Sequence, residues 1–259
     1  MTGFSTDGIL LRKTEYGDYD LILTFFTLSM GRISVIAKNA KKSIRRFAGA
    51  LDMFSVMNIQ CSRQKRLNAL PVLCSVDLDN PFARIRTNAV KTSYASYWVE
   101  LVNSWMEEGK EQSDLYDLLL FVLDGLNSGS VSQEILSLLF QIRFMNISGF
   151  SPRLDQCGIC EKPLDDINQN TVSFSCAEGK LVCDRCRKSH PVNRGIEVSK
   201  GTLKQLSWIN FSDLGRMERI RFSETAIQEG EMLLESFIPY HIGREVKSLK
   251  VLKRIKQYT

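Results

Sequence analysis

Two C-x-x-C pairs, Cys157/Cys160 and Cys183/Cys186, restrict this chain more than any other feature. Two thiolates separated by two residues chelate one ion from a tight turn, because the chain reverses around the metal. Two such turns complete a tetrahedral four-sulfur shell for zinc. That shell leaves no open position for water, so one zinc per chain held there is structural rather than catalytic. The spacing is a slightly long version of the form C-x₂-C-x₁₅₋₂₀-C-x₂-C. Buried free thiols or a redox pair are the alternatives. Cys176 lies in the intervening loop with no C-x-x-C partner and is read as a spare, and His190, just past the last pair, is an alternative ligand.

Five of the seven cysteines cluster at this spacing, which argues for a reducing compartment rather than a disulfide scaffold. The chain has 259 residues, enough for two domains with their own cores. Its N-terminus, Met1 to Asp7, lacks the basic and apolar regions of a signal peptide. The longest apolar runs, such as Leu118 to Leu123, fall far short of the roughly 20 residues of a membrane span.

The first 79 residues read as strands: Gly8–Lys13, Leu21–Leu28, Arg32–Ala37, Leu51–Cys61 and Leu67–Val76 are rich in Ile, Val, Leu, Phe and Thr. Turn residues separate them, and Pro71 marks the last as an edge or bulged strand. Five short antiparallel strands suit a small Greek-key barrel of the OB type, with an SH3-like barrel as the rival.

The charge of +5 is modest but concentrated. Arg32, Lys38, Lys41, Lys42, Arg45, Arg46, Arg63, Lys65 and Arg66 fall in one stretch whose single acid is Asp52. A solvated loop is the bland reading of a short basic run. Here the bases fall in two adjacent barrel loops, with Phe25, Phe47 and Phe54 close in sequence, some of them core residues that the sequence does not single out. Positive loops beside aromatic faces track a nucleic-acid backbone and stack its bases.

From residue 80 the signals turn helical. Asn80-Pro81 reads as N-cap and first helical residue, and Phe82, Ile85, Ala89, Tyr94, Trp98, Leu101, Val102 and Trp105 follow one face. Trp98 and Trp105, one heptad apart, read as packing between helices. Ser113 caps a second helix, and Ser130 with Gln133 forms a capping box for a third that Gly149 stops. The cysteine segment, about 154–190, reads as two turns joined by a β-rich loop, Thr171 to Phe174. Ser199 and Ser223 cap two more helices. The chain closes on an amphipathic basic tail, with Lys247, Lys250, Lys253, Arg254 and Lys256 interleaved with Leu249, Val251, Leu252 and Ile255. The fold class expected is α+β: an N-terminal OB-fold β-barrel over 1–79, then an all-helical domain over 80–259 carrying an inserted four-cysteine zinc knuckle.

No signature of an enzyme stands out. There is no phosphate loop, no G-x-G-x-x-G and no G-x-S-x-G. Asp77/Asp79 and Asp165/Asp166 lie beside turns, where Asp bonds locally. His241 is read as capping a helix end.

Four ordered segments resemble the RecO recombination-mediator family of bacteria. They are Tyr16-Gly17-Asp18-Tyr19-Asp20 through Thr24 with Gly31 to Lys38; Arg46-Phe47 through Leu51 with Phe54; Gly149-Phe150-Ser151-Pro152-Arg153-Leu154 running into Cys157 and Cys160; and Phe174-Ser175, Gly179 and Cys183/Cys186, followed later by Lys247-Ser248. The resemblance implies an OB domain, a helical domain with a zinc knuckle, and a cytoplasmic, nucleoid-associated protein. It implies binding of single- and double-stranded DNA and annealing of complementary strands. It also implies help in loading recombinase onto strands coated by single-strand-binding protein, with a RecR-type partner. The chain departs from the family pattern in Glu161, where members often have Gly, in Lys180 of a usual Gly-Gly pair, and in the extra Cys176. Two functions stand against each other: a non-enzymatic DNA-repair mediator, and a zinc-containing RNA-binding or transcriptional regulatory protein built on an OB barrel.

Overall fold

The computed structural model describes residues 3–43, 46–47, 49–64, 69–189 and 195–258, the side chains of 217–219 excepted. In chain order the elements are β1 (Gly3–Tyr16), β2 (Asp20–Thr27), β3 (Gly31–Ala37), β4 (Val56–Ser62), β5 (Val72–Asn80), α1 (Ala83–Arg86), α2 (Ala89–Trp105), α3 (Ser113–Ser128) and α4 (Gln133–Ile147). There follow β6 (Arg153–Cys157), β7 (Thr171–Ser175), β8 (Lys180–Val182), α5 (Asp184–Ser189), β9 (Ile196–Ser199), α6 (Lys200–Phe211), α7 (Glu224–Ile242) and α8 (Lys247–Gln257). The chain forms a mixed α+β structure in two compact units: 1–127 together with 247–259, and 128–246.

In the first unit β1 to β5 close into a barrel in the order β1-β2-β3-β5-β4. β1 is long because it serves two partners: Gly3 to Ile9 pair with β4, and Gly8 to Tyr16 with β2. A bulge between Leu10 and Arg12 bends it from one partner to the other. In β3, Ile33, Val35 and Ala37 are buried while Arg32, Ser34 and Ile36 are only half-buried, the period-2 pattern of a strand with one face inward. These side chains join Leu23, Phe25, Ile59 and Leu73 in one core.

Three expectations change here. The strands are not all antiparallel, since β3 meets β5 in parallel at Ile36 and Val72. β5 starts after Pro71, which has no N–H to give; its carbonyl accepts from Ile36 N at 2.8 Å. β4 starts at Val56 rather than Leu51, because Phe54 takes φ +74 and turns the chain while burying its ring. The run 51–55 is apolar without being extended.

Beyond the barrel, Asn80 does not begin the long helix. Its side chain accepts from Phe82 N at 3.1 Å, Phe82 itself sits at φ +44, and only the four-residue α1 follows. The long helix α2 starts at Asn88, whose side chain accepts from Lys91 N at 3.0 Å. Trp98 is fully buried. The last helix, α8, packs along α2 with Leu249 and Leu252 buried. Glu100 on α2 caps its first turn, accepting from the backbone N–H of Lys247 and of Ser248.

In the second unit a four-stranded sheet, β6-β8-β7-β9, packs with α4, α6 and α7. The cap of α4 is Ser132, not Ser130: its hydroxyl accepts from Ile135 N. Ser199 and Ser223 cap α6 and α7 as expected, through Thr202 N and Ala226 N. No helix among the described residues is long and apolar enough to cross a membrane.

Candidate nucleic-acid interface and metal centre

The basic connection between β3 and β4 is fastened to the turn between β1 and β2. Lys41 N donates to the Tyr19 carbonyl at 3.0 Å, and Asn39 N donates to the Asp20 carboxylate at 2.7 Å. The Lys42 ammonium lies 3.4 Å from the centre of the Tyr19 ring, a cation–π contact. The Lys41 ammonium meets the Glu15 carboxylate at 2.8 Å, and that hydrogen bond holds the Glu15 carboxyl below its ordinary range. Arg46 covers the buried Phe47 ring at 4.5 Å and donates to the Lys38 carbonyl. Lys38, Lys41, Lys42 and Arg46 therefore share one exposed loop. Asp52, the one acid of the basic stretch, is paired with Arg86 of α1 at 3.1 Å.

Not all the expected bases stand on that loop. Arg32 is half-buried, and its guanidinium donates to the Asn103 carbonyl of α2 at 3.4 Å while its Nε is buried without a partner. Arg63 stands at the start of the β4–β5 connection, over the Phe4 ring at 5.9 Å. Arg45, Lys65, Arg66 and His190 lie outside the described residues. The expected stacking platform changes as well: Phe25, Phe47 and Phe54 are all core. The aromatics exposed beside the loop are Tyr16 (55%) and Tyr19 (42%). No local sequence pattern marks them, because which way an aromatic at a strand end faces depends on how the barrel closes.

The four cysteines of the two pairs converge in the second unit. Cys157 ends β6, Cys160 follows in its turn, Cys183 follows β8, and Cys186 lies in α5. Their sulfurs all lie within 4.8 Å of one another, and Cys160 and Cys183 are 3.9 Å apart. Gly158 N donates to the Leu181 carbonyl at 2.8 Å, which brings the first turn against the second. Burial alone would push the Cys157 thiol up, but backbone N–H groups of Cys160, Cys183 and Ile159 aimed at its sulfur lower it to about 6. Burial pushes the Cys186 thiol up to about 12. A tetrahedron with Zn–S bonds near 2.3 Å has edges of about 3.8 Å, so the sulfur spacing fits a metal ion. Cys176 stands apart from this cluster, in the β7–β8 turn, where its carbonyl meets His241 Nε2 at 2.9 Å. His241 stands in the last turn of α7 but does not cap it: its ring meets the Cys176 carbonyl, and Gly243 is the C-cap.

A barrel with a basic loop, continued by helices that carry a four-sulfur cluster, defines a two-part class of protein. Residues 1–78 match the family described as recombination protein O N terminal, and residues 86–250 match recombination protein O C terminal. The chain is 40% identical to the DNA repair protein RecO of Desulfatibacillum aliphaticivorans over 99% of each chain. It is 40% identical to that of Desulfosudis oleivorans over the full length of both, and 35% identical to that of Syntrophus aciditrophicus over 97% and 96%. The chain belongs to the RecO family of DNA repair proteins.

Proposed function

We propose that this chain is a cytoplasmic, nucleoid-associated mediator of DNA repair and recombination that binds single- and double-stranded DNA through an OB-type barrel and anneals complementary strands. The observation that carries this reading is the loop bearing Lys38, Lys41, Lys42 and Arg46, fastened to a turn with two exposed tyrosines. The strand order β1-β2-β3-β5-β4, with its parallel β3–β5 contact, supports the OB assignment over an SH3-like barrel. The barrel of residues 1–79 acts as the DNA-binding part, and the helical residues 80–259, which are divided between the two compact units, carry the knuckle at about 154–190. Backbone charge and base stacking carry no sequence code, so binding is sequence-independent. Holding two strands against a positive surface lowers their mutual repulsion, which is a physical route to annealing. By family likeness the protein assists recombinase loading on strands coated by single-strand-binding protein, with a RecR-type partner, and is not an enzyme.

The metal is zinc, held by Cys157, Cys160, Cys183 and Cys186. Four thiolates suit zinc and close its shell, and the ion supplies a cross-link between the two turns rather than a reactive centre. The residues around it do the positioning: Gly158 N fixes the first turn to Leu181, and Cys183 N points at the Cys157 sulfur at 3.5 Å.

The test is a Lys38→Ala, Lys41→Ala, Lys42→Ala, Arg46→Ala variant, titrated with a single-stranded oligonucleotide from 50 to 200 mM salt. Four lost phosphate contacts at about −0.7 each remove roughly a 50-fold salt dependence over that range. Annealing of complementary oligonucleotides slows and the metal content stays the same. A variant that binds and anneals like the parent places the DNA surface elsewhere.

A further inference from the structure

The helix α8 carries Lys247, Lys250, Lys253, Arg254 and Lys256 and no acid of its own. Like charges three and four residues apart on a helix repel, so this sequence costs stability as a helix in isolation. Contacts with α2 offset that cost. The Glu100 carboxylate accepts from Ser248 N at 2.7 Å and from Lys247 N at 3.1 Å, while Leu249 and Leu252 are buried and Lys256 reaches over the Tyr94 ring at 5.8 Å. α8 thus runs antiparallel along α2, with one face fixed to the unit that holds the barrel. Its opposite face presents Lys247, Lys250 and Arg254, all exposed. At 1.5 Å per residue these three span about 10 Å.

We propose that this face of α8 is a second nucleic-acid contact, taking the phosphate backbone of a strand other than the one on the β3–β4 loop. The proposal rests on the DNA-binding reading above. Charge complementarity decides the class of partner. A helix that enters a membrane surface needs its apolar face free, and in α8 that face is already committed to α2. What remains outward is a row of cations at a spacing that reaches two or three phosphates.

The fold also separates the two contacts. Glu100 caps α8, and Asn103, one turn further along α2, receives Arg32 from the start of β3. The basic loop leaves the other end of β3, after Ala37. At about 3.3 Å per residue the strand between them is roughly 20 Å long. One unit therefore offers two cationic surfaces at opposite ends of β3, an arrangement that holds two strands rather than one.

The experiment uses the full chain and a Lys247→Gln, Lys250→Gln, Arg254→Gln variant, alone and combined with the loop variant, titrated with oligo(dT) between 50 and 200 mM salt. Three contacts at about −0.7 each lower the salt dependence by roughly 20-fold over that range, in the parent and in the loop-variant background alike. A charge-preserving Lys247→Arg, Lys250→Arg variant keeps the parent slope, which separates charge from any loss of helix packing. A slope unchanged by the Gln variant, while the parent and loop variant still differ, overturns the α8 contact and leaves the loop reading intact. A parent that binds no DNA overturns both. Binding to phosphatidylserine vesicles that falls in the Gln variant while oligo(dT) binding does not also overturns the proposal.

Discussion

Glu229 of α7 accepts hydrogen bonds from both the backbone N–H (3.0 Å) and the hydroxyl (2.7 Å) of Ser199, the residue that caps α6. The Thr202 hydroxyl donates to the same oxygen. Burial alone would raise the Glu229 carboxyl, but these donors outweigh it and bring it below its ordinary value. A carboxylate depressed on folding stabilises the fold above its unfolded pKa, and that stability is lost as pH falls through the folded value. Glu229→Gln should cost about 1–2 kcal/mol at pH 7, and the difference from the parent should shrink as the solution is acidified through the folded value. Urea melts of both proteins at pH 7 and in mild acid check this.

The zinc reading makes a sharp distinction among cysteines. Cys160→Ser or Cys183→Ser should abolish stoichiometric zinc and destabilise the second unit, because structural zinc contributes on the order of 10 kcal/mol in small modules. Cys176→Ser should leave one zinc per chain. Elemental analysis of the three purified variants decides; zinc lost from the Cys176 variant would sink the proposed ligand set.

Glu161 adopts φ +57 in the turn that follows Cys160. A side chain in the left-handed region costs roughly 1–2 kcal/mol that glycine avoids. Glu161→Gly should therefore raise the thermal midpoint by a few degrees without changing metal content. Calorimetry of the metal-loaded protein measures it.

Gly31 opens β3 at φ +62, and a Cβ built there would stand 2.0 Å from the Lys110 carbonyl oxygen. Gly17 has a similar φ of +58 with nothing within 4 Å. Gly17→Ala should cost only about 1–2 kcal/mol, the conformational part. Gly31→Ala adds a backbone clash and should cost well over about 3 kcal/mol. Equal melting curves for the two would refute the contact.

Arg32 shows how a base inside a basic stretch can belong to the scaffold. Its stem is half-buried and its head is engaged by Asn103. Arg32→Ala should lower stability by about 1 kcal/mol through lost packing and leave the salt slope of DNA binding unchanged. A flattened slope in that variant would return Arg32 to the interface.

The sequence carries the cysteine cluster plainly because two short-range pairs need only one long-range contact to meet. It carries the strands of the barrel less well at their ends. Leu51 to Ser55 is as apolar as a strand, yet Phe54 buries its ring from a turn, and apolarity alone does not distinguish the two. Helix starts at Ser199 and Ser223 are read correctly from their caps. Ser130 and Ser132 offer the same chemistry two residues apart, and tertiary packing chooses the second. Asn80 bonds locally to Phe82 instead of opening a helix. Which phenylalanines face inward, and that Tyr16 and Tyr19 face out, depends on barrel closure and is not encoded in any local pattern.

The return of α8 to the first unit has a consequence for biosynthesis. The barrel and α2 leave the ribosome long before Leu249 and Leu252 exist to cover the α2 face. At about 5–20 residues per second, residues 128–246 take roughly 6–24 s to make. During that interval the face of α2 that Leu249 and Leu252 later cover has no cover from α8, so the first unit completes its packing only after the second has been made.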